Sequence, residues 1–242
     1  MPHIDTPEGI RIRYDERGPA DARPIVLAHG FGVSLEMWLP QMLALSRTYR
    51  LITWDARGHG GSSAPADAEG YSMPALTRDL RGLLEALDAV DGAIVGGMSF
   101  GGQIAMQYAV DHPADVHALV LSDCTTRGDE PSADPKLAAR AWGIEGDPGL
   151  EGAMRAMSTR SDLTPRLGEL TMPALVLVGE LDERILQGLP RLADGLPRRR
   201  VVYLAGSVHG TSGQRPGAWN QAVLDFLTAV EADEPLGETL AV

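Results

Sequence analysis

Four short, uninterrupted apolar runs constrain this chain more than any other feature: Pro24–Ala28 (PIVLA), Ala93–Gly97 (AIVGG), Ala118–Ser122 (ALVLS) and Ala174–Gly179 (ALVLVG). A strand with one face in water alternates apolar and polar residues. A continuous run needs cover on both faces, as in a parallel sheet sandwiched between helices. Leu51–Trp54 and Val201–Leu204 add two further runs. Ile10–Arg17 differs, alternating Ile10, Ile12 and Tyr14 with Arg11, Arg13 and Asp15, and reads as a strand with one wet face. Helix-like stretches lie between the runs. Ser34–Leu45 takes Ser34 as its N-cap, and Met73–Leu87 repeats leucine at 76, 80, 83, 84 and 87. Phe100–His112 stops before Pro113, and Trp219–Val230 follows the last run. Strands alternating with helices predict an α/β fold, a mostly parallel central sheet flanked by helices. Such sheets bind ligands at the carboxyl ends of their strands.

One segment breaks the alternation. From Cys124 to Thr171 the chain turns loop-rich, with two short helical pieces near Lys136–Trp142 and Leu150–Ser158. Long excursions between strands are uncommon unless functional, so residues 124–171 are expected to form a short cap inserted at the strand ends. Residues 1–123 and 172–230 then make a discontinuous core, and the acidic residues 231–242 a frayed tail.

Composition narrows the partners. The formal charge of −12 and pI near 4.9 argue against nucleic acid or an anionic membrane, both of which demand clustered Lys and Arg. The single cysteine, Cys124, allows no intrachain disulfide and no cysteine-based metal site. The first residues, Met1-Pro2-His3-Ile4-Asp5, lack the basic and apolar regions of a secretory leader, and no apolar run approaches the ~20 residues that cross a bilayer. A soluble, cytoplasmic protein is expected.

The residues that carry chemistry follow the second long run. Gly97-Met98-Ser99-Phe100-Gly101 sits between a strand and a helix, the setting in which a nucleophile elbow exposes a serine hydroxyl on a sharp turn. The five-residue pattern alone is weak; the strand before it and the helix after it are what raise it. A hydroxyl at its ordinary pKa needs a general base within hydrogen-bond reach. Of six histidines, His209 lies between the last apolar run and the last helix, at the expected carboxyl edge. Its imidazole needs a carboxylate to fix the tautomer, and Asp182 follows the strand ending at Gly179. Asp123 also ends a strand and is the rival for that role. The order Ser99, Asp182, His209 is the one described for α/β-hydrolase triads. Two backbone amides should face the developing oxyanion, that of Phe100 and that of Phe31 in His29-Gly30-Phe31-Gly32.

With these residues in hand, the chain resembles the α/β-hydrolase superfamily from Ile10 to about Thr228, and within it the small bacterial esterases and the enol-lactonase-like branch. Its landmarks are His29-Gly30-Phe31-Gly32, Asp55-Ala56-Arg57-Gly58-His59-Gly60-Gly61-Ser62, the serine elbow, Gly179-Glu180-Leu181-Asp182 and the terminal histidine. The resemblance implies acyl transfer from a small-molecule ester or lactone to water, with no cofactor and no metal. The chain departs from the family in its short cap, in Gln214-Arg215-Pro216 where many relatives carry Glu before Pro, and in the Phe31 ring beside the acyl site.

Other residues read more plainly. Met98, Trp38 and Trp142 are candidates for lining the substrate pocket, with core packing an equal reading for Trp38. His59 reads as packing a turn with Arg57, and the arginines of the cap as solvated surface. A serine at the elbow argues against the branches that use aspartate there. The same triad also suits C–C bond hydrolysis or perhydrolysis, and a non-catalytic small-molecule receptor is the remaining alternative.

Overall fold

A computed structural model describes residues 1–67, 70–127, 135–237 and 240–242. Its strands are β1 (His3–Asp5), β2 (Arg11–Arg17), β3 (Pro24–Ala28), β4 (Arg50–Trp54), β5 (Ala93–Met98), β6 (Val116–Ser122), β7 (Ala174–Gly179), β8 (Arg199–Leu204) and β9 (Leu240–Ala241). They form one nine-stranded sheet in the order β1-β2-β4-β3-β5-β6-β7-β8-β9. β1, β2 and β4 pair antiparallel; every pairing from β4 onward to β9 is parallel. Every residue of β7, and all but the ends of β3 and β5, is buried, as continuous apolar runs require.

Helices cover both faces. On one side lie α1 (Leu39–Leu45) and α8 (Pro216–Glu231), whose Met42, Leu45, Val223 and Phe226 pack on Ile25, Leu27, Ile94 and Leu177 of the sheet. On the other lie α2 (Met73–Ala86), α3 (Phe100–Asp111) and α6 (Glu183–Gly195), against Val26, Val95, Leu119 and Val176. α2 is what its leucines predict: Leu76, Leu80, Leu83 and Leu84 are buried, and the Ser72 hydroxyl caps it by accepting the Ala75 N–H at 3.2 Å. Across the sheet edge, Arg57 grips the Asp79 carboxylate of α2 through Nε and a terminal nitrogen at 2.5 and 2.6 Å, both side chains almost fully buried. Such a pair ties the loop after β4 to a helix, and removing either member would leave an uncompensated buried charge.

Three expectations need correction, and one helix goes unannounced. The sequence does not announce α6, because Gly188 and Pro190 read as helix breakers; burial of Ile185, Leu189 and Leu192 outweighs the amide lost at Pro190. Ser34 makes no capping bond. Its hydroxyl donates instead to Glu36, and Asp55 Oδ1 accepts the Leu35 N–H at 2.7 Å, opening a short 3-10 turn, Leu35–Trp38, ahead of α1. Trp38 is not among the residues lining the cavity over Ser99: it is fully buried on the α1–α8 side, its ring 5.5 Å from that of Trp219. The acidic tail ends in β9, where Val242 N donates to Tyr203 O and Val242 O accepts from Ala205 N.

Between β6 and β7 the described residues form α4 (Pro135–Ala141), α5 (Pro148–Ser158) and a 3-10 turn, Thr164–Glu169. Residues 128–134 of this excursion lie outside those described. The first turn of α5 rests on the loop after β4, where a Cβ on Gly149 would stand 2.5 Å from the Gly58 carbonyl oxygen. Gly152, one turn on, faces the Tyr71 ring at a distance that no side chain could share. Among the described residues no helix is long and apolar enough to cross a membrane.

Candidate active site

Ser99 sits at the turn from β5 into α3 with φ 54° and ψ −111°, a strained backbone for a residue bearing a Cβ. Its amide donates to Ser122 O of β6 at 2.8 Å. The glycines around it answer to close approach: a Cβ on Gly97 would lie 2.4 Å from Gly101 C, and one on Gly101 would lie 2.0 Å from Ala28 O. The elbow therefore packs backbone on backbone and leaves the Ser99 hydroxyl outermost.

His209 arrives on the loop between β8 and a short helix, α7 (Thr211–Gln214). His209 Nε2 lies 3.0 Å from Ser99 Oγ, and its Nδ1 lies 2.8 Å from Asp182 Oδ2. Asp182 is nearly buried and serves a helix as well, since its Oδ1 accepts the Ile185 N–H and caps α6. Gln214 brackets the histidine, its Oε1 accepting from Val208 N at 3.0 Å and its Nε2 donating to His209 O at 2.7 Å.

Asp123 does not compete for His209. Its Oδ2 accepts the Thr211 amide at 2.9 Å and the Thr211 hydroxyl at 2.8 Å, so it anchors the histidine loop from below. Complete burial pushes its carboxyl pKa upward, against the opposing effect of those hydrogen bonds. Ser122 and Trp219 complete the anchor, through Ser122 Oγ to Thr211 Oγ1 at 3.0 Å and Trp219 Nε1 to Ser122 Oγ at 3.1 Å. The sequence marks neither Thr211 nor Gln214 as part of the site and casts Asp123 in another role, since nothing in it pairs positions so far apart.

Phe31 and Phe100, the expected oxyanion donors, face one another across the elbow with ring centroids 6.3 Å apart. Among the described residues neither amide donates to a loop, turn or side-chain acceptor. His29 and His59 lie beneath them, their rings tilted at 58° with centroids 4.8 Å apart. Burial holds both imidazoles neutral, His29 pushed down to about 4 and His59, which also feels His29, to about 3. An unfolded histidine titrates near 6.5, so between about pH 6.5 and 4 the unfolded chain binds more protons than the folded one. This contribution to stability is complete above that window and is lost on acidification through it. Urea unfolding is expected to show a free energy that falls with pH there, by up to about 1.4 kcal/mol per pH unit for each imidazole. A flat profile would contradict the buried neutral pair.

A cavity of about 490 Å³ opens over Ser99. Phe31, Met98, Met154, Met157 and Ile185 make its wall apolar, and Leu137 and Trp142 of the excursion stand at it while remaining well exposed. Met98 and Trp142, two of the candidates for the substrate pocket, are among the residues that line this cavity. Cys124 also lines it, but burial pushes its thiol up to about 12. Among the described residues no three His, Cys, Asp or Glu side chains gather in a way that could hold a metal ion.

Residues 23–150 match the family model of the alpha/beta hydrolase fold. The chain belongs to the α/β-hydrolase family. Among relatives of this hydrolase-fold chain is a non-heme chloroperoxidase of Streptomyces lividans, 38% identical over 94% of this chain and 99% of that protein. Solved structures of the same fold include the enol-lactonase of Burkholderia xenovorans LB400, with TM-score 0.82 and 26% identity, covering 94% of this chain and all of that one. A thermophilic esterase from Thermogutta terrifontis, solved with malate bound, superposes with TM-score 0.85 at 25% identity, covering 94% of this chain and 98% of the esterase. The expected fold and family therefore stand, and the esterase and enol-lactonase branches named from the motifs are represented among the similar structures.

Proposed function

We propose that the protein is a serine hydrolase that cleaves a small or medium carboxylic ester or lactone through an acyl-enzyme. One observation carries this reading: the unbroken chain from Ser99 Oγ to His209 Nε2 at 3.0 Å and from His209 Nδ1 to Asp182 Oδ2 at 2.8 Å. Ser99 Oγ attacks the substrate carbonyl while His209 Nε2 takes its proton. Asp182 keeps the imidazole in the tautomer with its proton on Nδ1 and stabilises the imidazolium. The amides of Phe31 and Phe100 receive the negative charge on the carbonyl oxygen, each worth about 3–4 kcal/mol at the transition state. His209 then passes its proton to the departing alcohol oxygen. Water enters and gives a proton to His209 as its oxygen attacks the acyl carbon; the bond to Ser99 Oγ then breaks, His209 returns the proton to Oγ, and the acid is released. The segment 124–171 serves as a cap that roofs the acyl site with Leu137, Trp142, Met154 and Met157.

A fluorophosphonate probe, mapped by mass spectrometry, tests the reading. One adduct is expected, on Ser99, and it should be lost in His209→Ala. An unlabelled protein, or an adduct elsewhere, would remove serine chemistry altogether. The chloroperoxidase relative favours a second use of the same acyl-enzyme, with hydrogen peroxide in place of water, giving a peracid. Peracid appearing from acetate and peroxide, and absent in Ser99→Ala, is the result expected of that variation.

A further inference from the structure

The acyl-transfer scheme gives His59 no part, yet its ring touches both residues of the proposed oxyanion hole. Its centroid lies 5.8 Å from that of Phe31, edge-on, and 5.6 Å from that of Phe100. His59 Nε2 accepts the Gly32 N–H at 3.2 Å. Gly32 follows Phe31 and has φ +73°, a backbone that L side chains rarely adopt.

Two peptide planes flank Phe31, and each is held by one histidine. The plane carrying the Phe31 N–H begins at the Gly30 carbonyl, whose oxygen lies 2.7 Å from His29 Nδ1. The trans geometry of a peptide then points the Phe31 N–H the opposite way. The next plane ends at the Gly32 N–H, which His59 holds. His29 is itself fixed by accepting the Ala56 N–H on Nε2 at 3.0 Å, and the two tilted rings pack with centroids 4.8 Å apart. Turning the plane that carries the Phe31 N–H breaks the bond to His29, and turning the next plane, which fixes the Phe31 backbone from the other side, breaks the bond to His59.

We propose that His59 is a positioning residue for acyl transfer, a neutral imidazole that aims the Phe31 amide through Gly32 and wedges Phe31 against Phe100. The inference rests on the acyl-transfer reading above. It demands one tautomer: Nε2 bare to accept from Gly32, and the proton on Nδ1, which faces the Arg57 carbonyl at 3.4 Å. The ionisable neighbours of the ring are His29, Asp55 and Asp147, and burial keeps it uncharged among them. Because the amide matters only once charge develops on the substrate oxygen, the loss should fall on turnover and not on ground-state binding.

His59→Phe keeps a ring of similar size and removes the acceptor; His59→Gln offers an amide oxygen near the place of Nε2. For the best activated ester, His59→Phe is expected to lower kcat by about 10- to 100-fold with KM within about 2-fold, a share of the 10²–10³ that deleting an oxyanion donor costs. The rate of Ser99 phosphonylation should fall in parallel, and His59→Gln should recover most of both. Equal losses in the two variants, or a change confined to KM, would overturn the proposal. Should His59→Phe not fold, nitrogen-15 NMR of the unaltered protein decides, since a proton on Nε2 of His59 is incompatible with the inference. A protein whose Ser99 never labels fails at the acyl-transfer reading, and this inference falls with it. Normal labelling of both parent and His59→Phe at one rate removes the inference alone.

Discussion

Ser99→Ala is expected to lower kcat for the best ester by about 10⁴–10⁶-fold while the protein unfolds at nearly the temperature of the parent. The upper figure is the scale on which triad nucleophiles fail when deleted, and the remainder over the uncatalysed reaction is what binding and oxyanion stabilisation supply alone. Stability should hold because the Ser99 side chain is outermost at the elbow, where its hydroxyl meets His209 Nε2. The backbone strain at φ 54° stays, since alanine also bears a Cβ. Adding His209→Ala should cost little more, as members of one catalytic unit are not additive. Steady-state kinetics with a p-nitrophenyl ester, beside thermal unfolding, measures both. Retention of more than about a hundredth of parental kcat would mean that another nucleophile carries the reaction.

The second large effect separates two carboxylates. Asp182→Asn is expected to reduce kcat about 10⁴-fold, because an amide facing Nδ1 favours the imidazole tautomer with its proton on Nε2, the wrong one for a base. The asparagine oxygen can still accept from Ile185 N at the start of α6, so unfolding should move by less than about 1 kcal/mol. Asp123→Asn keeps an oxygen for Thr211 and touches His209 only through that loop, so about 10-fold or less is expected. The same kinetic assay on both variants reads the difference. Comparable losses in the two, or a larger loss at 123, would transfer the acid role to the strand after the elbow.

Much of this is legible in the amino-acid order. PIVLA, AIVGG, ALVLS and ALVLVG form the buried strands β3, β5, β6 and β7 because a run without polar interruptions has no wet face to offer. Ser99, Asp182 and His209 can be found because each follows a strand, and the carboxyl ends of parallel strands converge. What stays hidden depends on distant contacts. Nothing local says that Pro190 sits inside a helix, since the reason is apolar burial of Ile185, Leu189 and Leu192 against the sheet. Nothing local sends Trp38 to the far face, where Trp219, 181 positions away by number, receives it. The clamp of Thr211 on Asp123 and the meeting of His59 with Gly32 join loops that only the assembled sheet brings together.

The bare contact between Gly58 and Gly149 lets α5, which carries Met154 and Met157 to the cavity over Ser99, lie directly on the loop after β4. Two missing methyl groups let the roof helix settle onto the floor loop, as a keystone settles only when nothing is trapped in its joint. An alanine at either place would jack that corner upward, and the chamber would grow by tilting, with none of its lining residues changed. On the proposed hydrolase reading, the bulk of substrate that fits is thus set partly by atoms that the polypeptide does without.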